Sequence, residues 1–192
     1  MTLVPLIEMA VLSLRNPKEG LRRVLDINVP RATLIPMIVL VIVLSVLLAF
    51  LTLWAAPVEI DAAMSVFPTP FSLAMILSGS MFIMIMGIYW IGRAFDGKGT
   101  MDEVLLTVIW LQAIMMLLQV VQIIATILLP PLADMLGLVA FAVMFWLLTN
   151  FITEVHGFQS PLKVFFMVIA SMFGIVFGLT ILLTLIGLSG GF

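Results

Sequence analysis

Long apolar runs separated by short polar intervals make up almost the whole chain. The runs cover about 34–56, 71–91, 104–129, 132–153 and 162–188. A helix needs about 20 apolar residues to cross the hydrocarbon of a bilayer, and every run reaches that length. The pattern predicts an all-α membrane protein with five transmembrane helices. Ahead of them, residues 1–30 read as a short amphipathic helical segment on the cytosolic side or in the interface, leaving 31–192 as the five-span domain.

The N-terminal segment has a different period. Leu3, Ile7, Ala10, Val11 and Leu14 fall at helical spacing, with Glu8 and Ser13 off that face. This stretch is too short to span. Asn16-Pro17-Lys18-Glu19 then reads as a helix start: Asn16 caps, Pro17 gives up an N–H that would go unbonded anyway, and Glu19 occupies the capping-box position. The helix behind it puts Leu21, Val24 and Leu25 on one side with Arg22 and Arg23 beside them. Two placements fit such a basic amphipathic helix. It lies on an anionic leaflet, or it packs under the bundle.

Local signals punctuate the spans. Thr69-Pro70 opens the second and Ser160-Pro161 the fifth, while Thr100-Met101-Asp102-Glu103 is a capping box that starts the third. Pro130-Pro131 ends the third span and turns the chain into an antiparallel fourth. Trp54, Tyr89 and Trp90 stand near span ends, where interfacial aromatics collect.

Charge then gives the arrangement a direction. Only 9% of the residues are charged, against roughly 25% in a soluble domain. Arg15, Lys18, Arg22, Arg23 and Arg31 precede span one, Arg93 and Lys98 follow span two, and Lys163 follows span four. The polar turn with Glu59 and Asp61, the Pro130-Pro131 turn and the C-terminal tail carry no Lys or Arg. With five spans all eight basic residues fall on one side, which the positive-inside rule makes cytoplasmic. The N-terminus is then inside and the C-terminus outside. No basic region precedes Leu3–Leu14, so a cleavable signal peptide is not expected. The absence of cysteine excludes disulfides and thiolate chemistry.

Four groups of residues are candidates for chemistry. Gln112, Gln119 and Gln122 share a face of span three, with Thr126 one turn further on. They read as interhelical hydrogen-bonding groups, or else as a polar path for a solute. Ala170, Gly174 and Gly178 form a small-residue ladder on span five, suited to packing inside the chain or to a homodimer seam. Asn150, Glu154 and His156 close span four, across from Asp96, Asp102 and Glu103. One histidine with carboxylates is a poor match to a zinc site, which usually shows a spaced pair of strong ligands, so capping, loop pinning or partner contact is the expected role. Finally, Gly92-x-x-x-x-Gly97-Lys98 begins like a phosphate-binding loop, but Gly99 stands where Ser or Thr belongs and no strand precedes it. These glycines are expected to supply positive φ in a sharp turn.

Several of these features together resemble the Yip family of Ypt-interacting-protein-like membrane proteins, in its small bacterial form. They are the five-span layout, Gly97-Lys98-Gly99-Thr100-Met101-Asp102-Glu103 opening span three, Pro130-Pro131 after it, and Asn150-Phe151-Ile152-Thr153-Glu154-Val155-His156-Gly157 closing span four. The resemblance implies a compact helical membrane domain without known enzymatic activity, here in a bacterial inner membrane. In eukaryotic relatives it implies binding of prenylated small GTPases, through a longer cytosolic N-terminal region than the roughly thirty residues present here.

The resulting expectation is a non-enzymatic scaffold or adaptor with no cofactor, no metal and no nucleic-acid partner. Its cytosolic surface would meet a protein partner or anionic lipid through Arg22, Arg23, Arg93, Asp96, Lys98, Asn150 and Glu154. The alternative is a small-solute transporter or channel built on Gln112, Gln119 and Gln122.

Overall fold

The computed structural model describes residues 3–55 and 69–185. The turn with Glu59 and Asp61, and the end of the fifth span near Leu188, lie outside the described residues. Within them the chain forms seven α-helices and no strand. The helices are α1 (Leu3–Arg15), α2 (Pro17–Leu25), α3 (Arg31–Ala55), α4 (Pro70–Ala94), α5 (Met101–Leu128), α6 (Pro130–His156) and α7 (Pro161–Leu185).

Five of them, α3 to α7, are long and apolar enough to cross a membrane. Their outward faces carry exposed residues such as Val39, Leu47, Phe141, Phe173 and Phe177. In water such a belt would drive aggregation; in a bilayer it faces lipid.

The expected caps are present. Asn16 Oδ1 accepts from the N–H of Glu19, and Thr69 pairs reciprocally with Ser72. At the start of α5, the Thr100 N–H donates to Glu103 Oε2 at 2.7 Å, and the Glu103 N–H donates to Thr100 Oγ1 at 3.3 Å. Leu129 ends α5, and Pro130 opens α6 directly after it.

Helix α5 is the centre of the bundle, packed by α3, α4 and α6 and, at its N-terminal end, by α2. Its buried residues include Val104, Val108, Leu111 and Ile114, at helical spacing along one side. Leu147 and Phe151 of α6 are fully buried in the same core. Helices α3 and α5 run parallel with a constant offset. Gln112 Nε2 donates to Ser45 Oγ and, seven residues on in both helices, Gln119 Nε2 donates to Thr52 Oγ1, each at 3.3 Å. A shared seven-residue step is the repeat of helices packed side by side at a shallow angle.

The N-terminal segment packs under the bundle. Leu21 and Val24 of α2 are buried in the core shared with α5 and α6. Helix α1 keeps Ala10 of its predicted apolar face inward but is rotated towards Ser13. Ile7 and Val11 are exposed, whereas Ala10 is buried and Ser13 is fully buried. The cause is steric. α1 crosses α2 so closely that a Cβ on Gly20 would lie 2.5 Å from Ser13 Cα, and only small residues fit such a crossing. The Ser13 hydroxyl donates to the Met9 carbonyl at 2.9 Å and accepts from Trp110 Nε1 at 3.0 Å. This ties α1 to α5.

Candidate functional site

The end of the bundle that carries α2, the 95–100 loop and the start of α7 is called the floor below. Its centre is His156, the last residue of α6, which is 1% exposed. Its Nε2 lies 3.1 Å from the Ile88 carbonyl oxygen. A carbonyl only accepts, so Nε2 carries the proton, and Nδ1 is buried without a hydrogen-bond partner among the described residues. The ring lies 5.5 Å from that of Phe158, tilted by 32°.

The glycines of the loop are there for this ring. A Cβ on Gly92 would overlap the imidazole, reaching within 2.6 Å of Cδ2. One on Gly97 would lie 2.5 Å from Nδ1, and one on Gly99 would lie 3.0 Å from Nδ1 and 2.9 Å from the Val155 carbonyl oxygen. The expected positive φ is found elsewhere, at Asp96 (62°) and Gly157 (70°). The glycines thus serve close approach, and Asp96 makes the left-handed turn. Two backbone hydrogen bonds close the unit: Gly97 N–H to the Gly92 carbonyl at 2.8 Å, and Lys98 N–H to the His156 carbonyl at 3.1 Å.

Above this clamp the loop alternates. Gly97 and Gly99 are buried, while Arg93, Phe95, Asp96 and Lys98 are exposed. Phe95 is 61% exposed, an aromatic ring standing among charges. It was not among the candidates read from the sequence. Its position before a polar turn carries no periodic signal, and only the loop conformation shows which way it faces.

The other predicted residues divide by what they touch. Arg22 joins Glu154 at 2.7 Å, tying α2 to α6 across 132 residues of sequence. This hydrogen bond raises the pKa of the Arg22 guanidinium above its ordinary value. Arg23 pairs with Glu19 one turn back, also at 2.7 Å. Arg31 approaches Asp102 at 3.6 Å, an ionic contact too long for a hydrogen bond. Asn150 is buried, and its Nδ2 donates to the Trp146 carbonyl at 2.8 Å, so it does not contribute to the exposed surface. The three side chains Asp102, Glu103 and Glu154 are held in separate contacts, and among the described residues no group of His, Asp and Glu converges as metal ligands would.

The polar stripe of α5 is engaged between helices. Besides the two bonds to α3, Gln122 Nε2 donates to the Ala133 carbonyl at 3.4 Å, and Thr126 bonds back to Gln122. The small-residue ladder of α7 does no packing inside the described chain. Ala170, Gly174 and Gly178 are exposed, and a Cβ on Gly174 or Gly178 would meet nothing within 4 Å. α7 packs chiefly on α6, through a different face that buries Val164 and Val168.

This clamp unites the segments on which the family resemblance rests, 97–103 and 150–157. A family model for the Yip1 domain matches residues 11–183. The chain belongs to the Yip family. The match takes in the last turn of α1, all of α2 to α6 and nearly all of α7, so the floor and the bundle both fall within the Yip1 domain. No curated protein and no solved structure matches the chain.

Proposed function

We propose that this Yip-family protein is a non-enzymatic membrane scaffold or adaptor that receives a partner at its floor. The observation that carries this reading is the clamped loop, which holds Arg93, Phe95, Asp96 and Lys98 outward on a backbone fixed by His156. Fixing a surface before contact lowers the ordering cost of binding. An exposed aromatic ringed by charge is the side-chain mixture of interface anchors. Every Lys and Arg of the chain lies at or next to this end, so the positive-inside rule makes the floor cytoplasmic in a bacterial inner membrane, with the C-terminus outside. Residues 1–30 are then a cytosolic cover on a five-span domain. The outward ladder of α7 is offered to the same ladder of a second copy. Gly174→Leu tests that seam: it leaves folding unchanged, and it dissociates the dimer if the seam is used.

The test of the adaptor reading is recovery of a partner with tagged protein from cross-linked membranes. Phe95→Ala and Lys98→Glu are expected to insert normally and to lose the partner. Arg23→Ala, at a pair away from the loop, is expected to keep it. Equal recovery from all three variants would contradict the proposal.

A further inference from the structure

A cavity of about 410 Å³ lies within the bundle, bounded by α4, α5, α6 and α7. Its walls are apolar, with Met84, Met115, Phe145, Met172 and Ile175 among them. The polar residues it contains are already bonded within the chain. Ser80 Oγ donates to the Leu77 carbonyl, Ser171 Oγ to the Met167 carbonyl, and Gln112 Nε2 to Ser45. The space therefore presents hydrocarbon to an occupant.

Its shape follows from the packing. α4 packs on α3, α5 and α6, whereas α7 packs chiefly on α6, so α4 and α7 stand as two sides of a slot. They come near each other at Gly87, where an added Cβ would lie 3.9 Å from Ile175 Cδ1. Along α4 the slot runs from Gly92 at the floor to Ser80. At 1.5 Å per residue those twelve steps span about 18 Å. One leaflet of a bilayer has a hydrocarbon depth of about 15 Å, half of the whole. The slot is one leaflet deep.

Its floor end lies at headgroup level. Trp90, 65% exposed, marks that level on α4. Arg93 at the end of α4 and Lys163 at the start of α7 are exposed there, and neither forms an ion pair among the described residues.

We infer that the slot between α4 and α7 holds one acyl chain of an anionic phospholipid from the floor-side leaflet, whose phosphate is met by Arg93 and Lys163. The charge pair selects the headgroup, and the slot takes the chain. The slot shares Arg93 with the loop surface, but its test reads lipid adducts at Met84 and Met172 and does not depend on the adaptor reading.

The experiment uses the intact protein in nanodiscs with phosphatidylglycerol or phosphatidylcholine carrying a photoactivatable group on one acyl chain. Peptide mass spectrometry then locates the adducts. The expected result is labelling at Met84 and Met172 by the phosphatidylglycerol probe, at least tenfold above the phosphatidylcholine probe. Unlabelled phosphatidylglycerol should compete it away, while labelling near Phe141 on the lipid-facing belt resists competition. Gly87→Phe, which fills the slot, should remove the Met84 and Met172 adducts and spare those near Phe141. Joint replacement Arg93→Gln and Lys163→Gln should bring the two probes to equality at the slot. Slot labelling that resists competition in the native protein, or that is equal for the two headgroups, overturns the inference without reference to any variant. So does a folded Gly87→Phe protein with unchanged adducts.

Discussion

His156 reaches back 68 residues to the carbonyl of Ile88, its Nε2 3.1 Å from that oxygen. To do so, the end of α6 presses an aromatic ring onto α4 where α4 offers Gly92 and no side chain. Ring and glycine are two halves of one contact.

That contact predicts a coupled pair of substitutions. Gly92→Ala alone forces its Cβ into the imidazole, and overpacking of this kind costs about 1–3 kcal/mol. The melting midpoint, followed by tryptophan fluorescence, should drop by several degrees. The three atoms nearest that Cβ all belong to His156, so Gly92→Ala in a His156→Ala background should cost much less. Double-mutant coupling between touching residues runs to about 0.5–3 kcal/mol. Gly79→Ala, with nothing within 4 Å of its Cβ, is the neutral control.

Asp96 occupies the left-handed region at φ 62°. A residue with a Cβ gives up roughly 1–2 kcal/mol there relative to glycine, less for Asp, which tolerates it. Asp96→Gly should raise the thermal midpoint slightly, and Asp96→Val should lower it. Equal midpoints for the two variants would show that this turn is not strained.

The indole of Trp110 donates to the buried hydroxyl of Ser13. Ser13→Ala leaves that donor unpaired, which costs about 1–3 kcal/mol. Hydrogen exchange should reveal the loss first in α1, because this bond ties α1 to α5.

Much of the fold is legible in the sequence. Lipid demands long apolar helices, so span number and length are written in composition, and the helix starts at Asn16, Thr69 and Thr100 follow from capping chemistry. Contact faces were less legible. In α1 the apolar residues Ile7 and Val11 face out, because the crossing with α2 needs small residues and selects Ala10 and Ser13. In a membrane both sides of a helix are apolar, so periodicity loses its power to tell core from lipid. The α7 ladder shows the same difficulty: its spacing is right for packing, yet no helix of the described chain lies against it. The glycines of the 92–99 stretch were visible as unusual, but their purpose depends on His156, nearly sixty residues away.

The glutamines of α5 are predicted to act as interhelical bonds. Each such bond contributes about 0.6 kcal/mol in measured membrane proteins. Changing Gln112, Gln119 and Gln122 together to leucine should therefore leave a folded protein, destabilised by no more than about 2 kcal/mol in a denaturing-detergent titration. Complete loss of folding would mean that these residues carry more than single hydrogen bonds.

The most direct test of the account is photo-crosslinking in living cells from a reactive amino acid placed at position 95 and then at 98, with position 173 on the lipid-facing side of α7 as reference. The account predicts that 95 and 98 capture the same protein, that 173 does not, and that Gly92→Ala weakens the capture by loosening the clamp beneath the loop. Lipid adducts alone from 95 and 98, like those from 173, would contradict the claim that the clamped loop is a protein-docking surface.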